Sequence, residues 1–239
     1  MPASTNTPDP QQLVVRAQKI YHALLEAFGL PEWRDPLPPV DELVSTILSQ
    51  NTNDRNRDAA FFNLKRRFAS WEDVRDAPAE QVIDAIRTAG LANQKGPRIQ
   101  AVLQAITAER GSLNLDFLRD LPSEKVRDWL TQFNGVGPKT AAIVMQFSLG
   151  IPAFPVDTHI YRVSGRLGLR PAEISVEQAH IHLAALFKPE TYGPAHLNLI
   201  RLGREICAAR KPRCCVCPLQ NLCDYARANP SNSESKEAA

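Results

Sequence analysis

Two stretches of the chain hold residue types whose spacing could do chemistry. The first is Gly135-Val136-Gly137-Pro138-Lys139-Thr140, followed further on by Pro155-Val156-Asp157-Thr158-His159. A Gly-rich turn that opens a helix exposes backbone N–H groups, and the helix start adds a partial positive charge, which together suit a phosphate. Pro138 fits the first helical position, where a missing N–H removes nothing. Lys139 then falls in the first turn, where a cation is least favoured and a neutral, nucleophilic amine is easier to reach. Positive φ and close approach of a ligand to the backbone explain both glycines. Asp157 follows the helix and a Pro-containing loop. An amine beside a phosphate-holding turn, with a carboxylate that could fold back onto it, is a candidate catalytic pair.

The second stretch contains every cysteine of the chain, between positions 207 and 223. Cys207, Cys214, Cys217 and Cys223 have the spacing C-x6-C-x2-C-x5-C. Clustering of this kind points to a metal or cluster site rather than to disulfides. Four thiolates so close could wrap a [4Fe–4S] cluster or a tetrahedral zinc ion. Zinc sites more often use two C-x2-C pairs, and one such pair is present here. By spacing alone, Cys215 could compete as a ligand. The same region is basic: Arg201, Arg204, Arg210, Lys211 and Arg213 stand against Glu205 alone, in a chain of net charge +2. Such a cluster could bind phosphates or simply be a solvated face.

The elements that must position these residues read as helices. Apolar residues recur at three and four from 9 to 28, with Gly29 as a stop. Residues 31–39 are a Pro-rich linker. Asp41 is expected to cap a helix burying Leu43, Val44, Ile47 and Leu48. A polar run, 49–54, separates it from a helix over 54–68. Ser70 caps a short helix, Pro78 opens another that ends at Gly90, and a helix over 94–108 closes at Gly111. Ser123 is expected to cap a helix over 124–133. With the helix over 138–149, it forms a helix–hairpin–helix at 123–149, whose main-chain N–H groups could hold a DNA phosphate without reading sequence. Helices over 158–167 and from Ser175, with a capping box to Gln178, precede a last long helix from Pro194 into Cys207. No segment alternates with period two, so the fold class is all-α. Residues 1–8 and the Ser/Glu-containing segment after Asn229 read as loose tails. Hydrophobic content of 44% and charged content of 23% are ordinary for a soluble globular protein. No apolar run approaches the roughly 20 residues that span a bilayer, and the first residues lack the pattern of a secretory signal. The expected location is the cytoplasm, with no membrane association.

Taken together, Gly135-Val136-Gly137-Pro138-Lys139-Thr140-Ala141, Val156-Asp157-Thr158-His159 and the C-x6-C-x2-C-x5-C run resemble endonuclease III, of the helix–hairpin–helix DNA glycosylase superfamily. Leu48-Ser49-Gln50-Asn51-Thr52-Asn53-Asp54 resembles that family's early LS-x-Q/N-x-x-D loop. The resemblance runs from about residue 41 to 227. It implies a six-helix barrel domain over 41–151, and a [4Fe–4S] cluster domain formed by both chain ends, 1–40 and 152–239, with DNA bound across the cleft between them. It implies a bifunctional glycosylase and abasic-site lyase of base excision repair, acting as a monomer on duplex DNA that carries oxidised pyrimidines or abasic sites. Residue by residue, it carries the Schiff-base nucleophile to Lys139 and the catalytic carboxylate to Asp157. It carries phosphate contact to Gly135, Val136 and Gly137, and to Arg210, Lys211 and Arg213 of a basic loop. Cluster ligation falls to Cys207, Cys214, Cys217 and Cys223, with Cys215 a bystander. Asn51 and Leu91 hold the positions of residues that fill the gap left by an extruded nucleotide; core packing is the plain alternative for Leu91. The chain departs from the family at Asn51, where Gln is frequent, and at Asn134, where Pro is common. His180, His182 and His196 read as structural, and His159 as orienting the active-site segment.

Three rivals stay on the table at this point. One is a sibling glycosylase that uses water as nucleophile, against which Lys139 argues. Another is a non-catalytic helix–hairpin–helix DNA binder in which Lys139 only contacts phosphate. The third is an interaction module built on a four-cysteine zinc site.

Overall fold

The structure, a computed structural model, describes residues 9–32 and 34–230. The expected tails at 1–8 and beyond residue 230 lie outside the described residues. All regular structure among the described residues is helical. The order is α1 (Pro10–Phe28), α2 (Pro39–Ser49), α3 (Asp54–Arg67), α4 (Trp71–Asp76), α5 (Ala79–Ala85), α6 (Ala92–Arg110), α7 (Ser123–Thr131), α8 (Pro138–Val144), α9 (Thr158–Arg166), α10 (Val176–Ala184), α11 (Tyr192–Glu205) and α12 (Asp224–Ala228).

The chain divides into two compact units, one of residues 35–151 and one of the residues up to 34 and from 152 onward. Residues 35–40 therefore belong with the first of these rather than with the N-terminal stretch. The reason is that α2 starts at Pro39, with Pro38 at its cap, and already buries Val40. Asp41 is not the cap. It lies in the first turn, where its carboxylate accepts from the Trp71 indole N–H and pairs with Lys65 at 3.4 Å.

In the unit of 35–151, α6 is the central element. Ile99, Val102, Leu103 and Ile106 are nearly inaccessible, at the i, i+3, i+4, i+7 spacing of one helix face. Gly96 lets α5 come close, since a Cβ there would sit 2.8 Å from Ile83 Cγ1. Capping follows local chemistry: Asn53 accepts from Asn56 N at 2.9 Å, and Ser70 and Asp73 form a reciprocal capping box. Ser123 is instead the first residue of α7, after Pro122. α8 does not run unbroken to residue 149; it passes into a π-helical turn over Met145–Leu149 that closes at Gly150. Arg119 donates to the Ser148 and Leu149 carbonyls left open by that turn.

The second unit packs α1, α9, α10 and α11 around Leu13, Ala17, Ile20, Leu24, Ile160 and Leu199. Phe154 stacks on Phe187, with ring centres 5.1 Å apart. The capping box of Ser175 and Gln178 opens α10, and α11 begins at Tyr192, two residues ahead of Pro194. Because α6 carries the core of its unit, Ile99→Ala should cost about 2–5 kcal/mol, read as a lower midpoint in urea unfolding with an unchanged slope.

Candidate functional site

The hairpin between α7 and α8 is built from the inside outward. Val136 is buried, and its N–H donates to Phe133 O at 3.0 Å, so this residue anchors the turn and offers no free donor. Gly135 has φ +91°, and an added Cβ would lie 2.1 Å from Arg98 Cδ. Its carbonyl accepts from Gln50 Nε2 at 3.3 Å, while Gln50 Oε1 accepts from Arg98 at 3.0 Å. Gln50 thereby joins the end of α2, helix α6 and the hairpin.

Gly137 corrects the sequence reading. Its φ of −88° and ψ of 178° are ordinary extended backbone, so positive φ is required at Gly135 and not here. Open space surrounds the position where a Cβ would stand. No side chain caps α8, and its first internal bond is Ala141 N to Gly137 O at 3.0 Å. Among the described residues, the N–H groups of Gly137, Lys139 and Thr140 thus have no protein acceptor, as expected for the first turn of an uncapped helix. Lys139 is exposed and stands in that turn.

Three non-glycine residues have left-handed backbone among the described residues: Asn51 (φ 53°), Leu91 (φ 50°) and Lys211 (φ 52°). All three are among the residues expected to touch DNA. Such a conformation costs roughly 1–2 kcal/mol at a residue with a Cβ and persists only where the surroundings impose it. Leu91 is not a core residue; it is 47% exposed, just ahead of α6. Asn51 is exposed too, between α2 and the cap of α3.

In the other unit, Asp157 is the cap of α9, accepting from Ile160 N at 2.8 Å through Oδ1. That bond leaves Oδ2 without a protein donor among the described residues. The segment before it is held by two histidines: His180 Nδ1 lies 3.0 Å from Phe154 O, and His196 Nδ1 lies 2.9 Å from Pro155 O. His182 binds Leu169 O, and His159 lies beside Arg162.

Cys207, Cys214, Cys217 and Cys223 all line one cavity, together with Val163, Leu167 and Leu202, and Cys215 is exposed outside it. Among the described residues, no three His, Cys, Asp or Glu side chains close on a point as they would around one metal ion. Burial pushes the Cys217 thiol up to about 11; a hydrogen bond from the Leu219 backbone opposes this, and charge on Cys207, Cys223 and Cys214 adds to it. Cys214 is also raised, by burial first and by Cys207 and Cys223 next. Thiols that raise one another in a shared cavity are a donor set that a cationic iron–sulfur core would relieve, so these residues fit such a group.

Arg166 of α9, which sequence reasoning passed over, organises this region. It donates to Cys207 Sγ (3.2 Å) and to the Ala208 and Ala209 carbonyls (2.7 and 2.9 Å), and its own carbonyl accepts from Cys223 Sγ. Its guanidinium also stacks over Tyr225. The basic loop is therefore pinned at its start. Arg210 and Lys211 are exposed, whereas Arg213 is turned back to donate to Glu205 O at the end of α11. No signal at the sequence level marks Arg166, because an arginine on a helix reads equally well as surface.

Residues 44–189 match the family model described as HhH-GPD superfamily base excision DNA repair protein. The chain belongs to that superfamily, and it is a DNA glycosylase of base excision repair. It is 34% identical to an endonuclease III from Sulfolobus acidocaldarius, over 80% of this chain and 83% of that one. It is 41% identical to a putative DNA glycosylase of Arabidopsis thaliana, over 60% of this chain, and there it spans about half of the relative's length, 49%. A non-covalent endonuclease III–DNA complex superposes with a TM-score of 0.76 at 28% identity, covering 94% of this chain and 99% of that one. Among the described residues, no helix is long and apolar enough to cross a membrane.

The two hairpin glycines should separate in experiment. Gly135→Ala meets both strain and Arg98 and should lower stability by about 1–2 kcal/mol. Gly137→Ala should leave thermal unfolding within about 0.5 kcal/mol of the parent, since nothing occupies that space.

Proposed function

We propose that this chain is a bifunctional DNA glycosylase and abasic-site lyase that removes oxidised pyrimidines from duplex DNA. The observation that carries this reading is the exposed Lys139 amine in the first turn of α8, beside backbone N–H groups that have no protein acceptor. A phosphate held by those donors would bring the sugar of the extruded nucleotide to the amine. Its endonuclease III relatives support the assignment, and one related solved structure is described as a trapped endonuclease III–DNA covalent intermediate.

In the proposed reaction, the neutral Nζ of Lys139 attacks C1′, and the damaged base leaves with the electrons of the glycosidic bond. The ammonium that forms loses a proton, the sugar ring opens at the C1′–O4′ bond, and O4′ takes up a proton. The product is a protonated imine between Nζ and C1′. The imine acidifies the 2′ hydrogen; its removal forms a C1′-conjugated double bond and expels the 3′ phosphate. Asp157 stabilises positive charge developing on the sugar and accepts the proton that frees the amine. Its capping bond to Ile160 N fixes Oδ1 and leaves Oδ2 for that task. Gly135 and Gly137 present the turn to the DNA backbone, with Val136 securing it from within. Arg210 and Lys211, with Arg213 closing the loop, add phosphate contacts whose strength falls with salt.

The cluster reading is a proposal of the same kind. Cys207, Cys214, Cys217 and Cys223 would hold a [4Fe–4S] cluster, and its contribution would be architectural, fixing the basic loop in place. The separation of Cys215 from the shared cavity supports the four-ligand assignment.

Incubation with abasic-site DNA under borohydride should give a covalent adduct, formed by reduction of the imine to a secondary amine. Lys139→Gln should abolish that adduct; an undiminished yield would sink the lyase mechanism. Asp157→Asn keeps a capping oxygen, so it should fold normally while base removal slows about 10²-fold or more. Purified protein should contain iron and sulfide in equal amounts and absorb broadly in the visible. Cys217→Ser should lose that absorption and Cys215→Ser keep it, whereas a colourless protein with one zinc would overturn the assignment.

A further inference from the structure

Lys95 of α6 is 1% exposed, and the proposed chemistry does not use it. Its ammonium donates to Leu48 O at 2.8 Å and to Ala89 O at 2.7 Å. Among the described residues it forms no ion pair, and burial pushes its pKa down. The charge is therefore met by backbone carbonyls instead of a carboxylate, and the two carbonyls end different helical segments, each leading into a loop.

Those loops carry the two left-handed residues already singled out in this unit. Leu48 is in the last turn of α2, three residues ahead of Asn51, and Ala89 ends the 3₁₀ turn Arg87–Ala89 that leads through Gly90 to Leu91. Gly90 and Leu91 have φ of 66° and 50°, Asn51 has 53°. The backbone of Lys95 also takes part, since its N–H donates to Leu91 O at 2.9 Å. One residue thus grips the Leu91 loop on both sides and ties it to the end of α2. Strained conformations persist only where the surroundings over-determine them, and here a single buried side chain supplies constraints to both.

We propose that Lys95 is a positioning residue that sets the Asn51 and Leu91 loops in register, so that both side chains enter the duplex gap as one unit. The inference rests on the proposed reading of Asn51 and Leu91 as gap-filling residues. A lysine serves where a shorter polar residue would not. It reaches from α6 between the two loops, and its several N–H donors satisfy two carbonyls at once.

The test is a double-mutant cycle in the full chain. Its probe is a duplex with 2-aminopurine opposite a tetrahydrofuran abasic analogue, whose fluorescence rises when that base is unstacked. Leu91→Ala and Lys95→Met should each cut the fluorescence rise at saturating protein by about threefold or more, and the double variant should fall little further, because coupled residues are not additive. Borohydride trapping on natural abasic DNA, which reports Lys139, should fall by less than the fluorescence signal in Lys95→Met. An unchanged signal in Lys95→Met beside a loss in Leu91→Ala overturns the inference alone, as do losses that multiply in the double variant. No loss in either Leu91→Ala or Asn51→Ala overturns the gap-filling reading first, and the inference with it. Lys95→Gln, whose shorter amide does not reach both carbonyls, is the second variant and should lose the signal as Lys95→Met does; an unchanged signal there overturns the inference. Loss of cooperative unfolding in both Lys95 variants would make Lys95 a residue of the core and also overturn it.

Discussion

A chain folded as many short helices has many helix ends, and each end leaves backbone donors or acceptors unpaired. Most of this structure's distinctive side chains answer that constraint. The C-terminal carbonyls are met by cations: Lys95 on Leu48 and Ala89, Arg119 on Ser148 and Leu149, Arg162 on Gly203 and Cys207, and Arg213 on Glu205. The N-terminal donors are met by Asn53, Ser70, Asp157 and Ser175. The favourable direction of the helix dipole reinforces both halves of this pattern. The start of α8 is one of those left bare: like the starts of α2, α5, α6, α7 and α11, it has no side-chain cap among the described residues, and it is the one that follows the Gly-rich hairpin and carries Lys139.

The same constraint links the parts of the proposed site. Gln50 bonds the hairpin carbonyl at Gly135 and the guanidinium of Arg98, and Lys95 lies one turn before Arg98 on α6. One face of α6 therefore touches the loop after α2, the loop before α6 itself and the hairpin. In the other unit Arg166 does comparable work, joining Cys207, Cys223 and the start of the basic loop. Several cationic side chains that look free in the sequence are committed to backbone carbonyls, among them Lys95, Arg119, Arg162, Arg166 and Arg213, whereas Lys139, Arg210 and Lys211 are exposed.

Much was legible beforehand, for physical reasons that can be named. Helix existence followed from three-and-four spacing, as in Ile99, Val102, Leu103 and Ile106. The capping boxes at Ser70 and Ser175 were legible because they need only residues three apart. Asp41 and Ser123 were misplaced as caps. Prolines at 38, 39 and 122 can open a helix without a side-chain acceptor, so a nearby Asp or Ser is not decisive. The π-helical turn at Met145–Leu149 was not legible, since it depends on how the carbonyls of Ser148 and Leu149 are taken up by Arg119, distant in sequence.

The sequence by itself determined the chemistry on offer: an amine in a helix's first turn after a Gly-rich hairpin, a capping carboxylate, and four cysteines at a set spacing. These are local patterns, written in neighbouring residue types. Only the tertiary structure decided which glycine of the hairpin is conformationally required, that Leu91 faces outward, that Cys215 stands apart from the other four, and that Lys95 is buried between two loops. Each of those facts depends on contacts between segments far apart in the chain. A buried lysine and a surface lysine read alike until the carbonyls that receive it are in place.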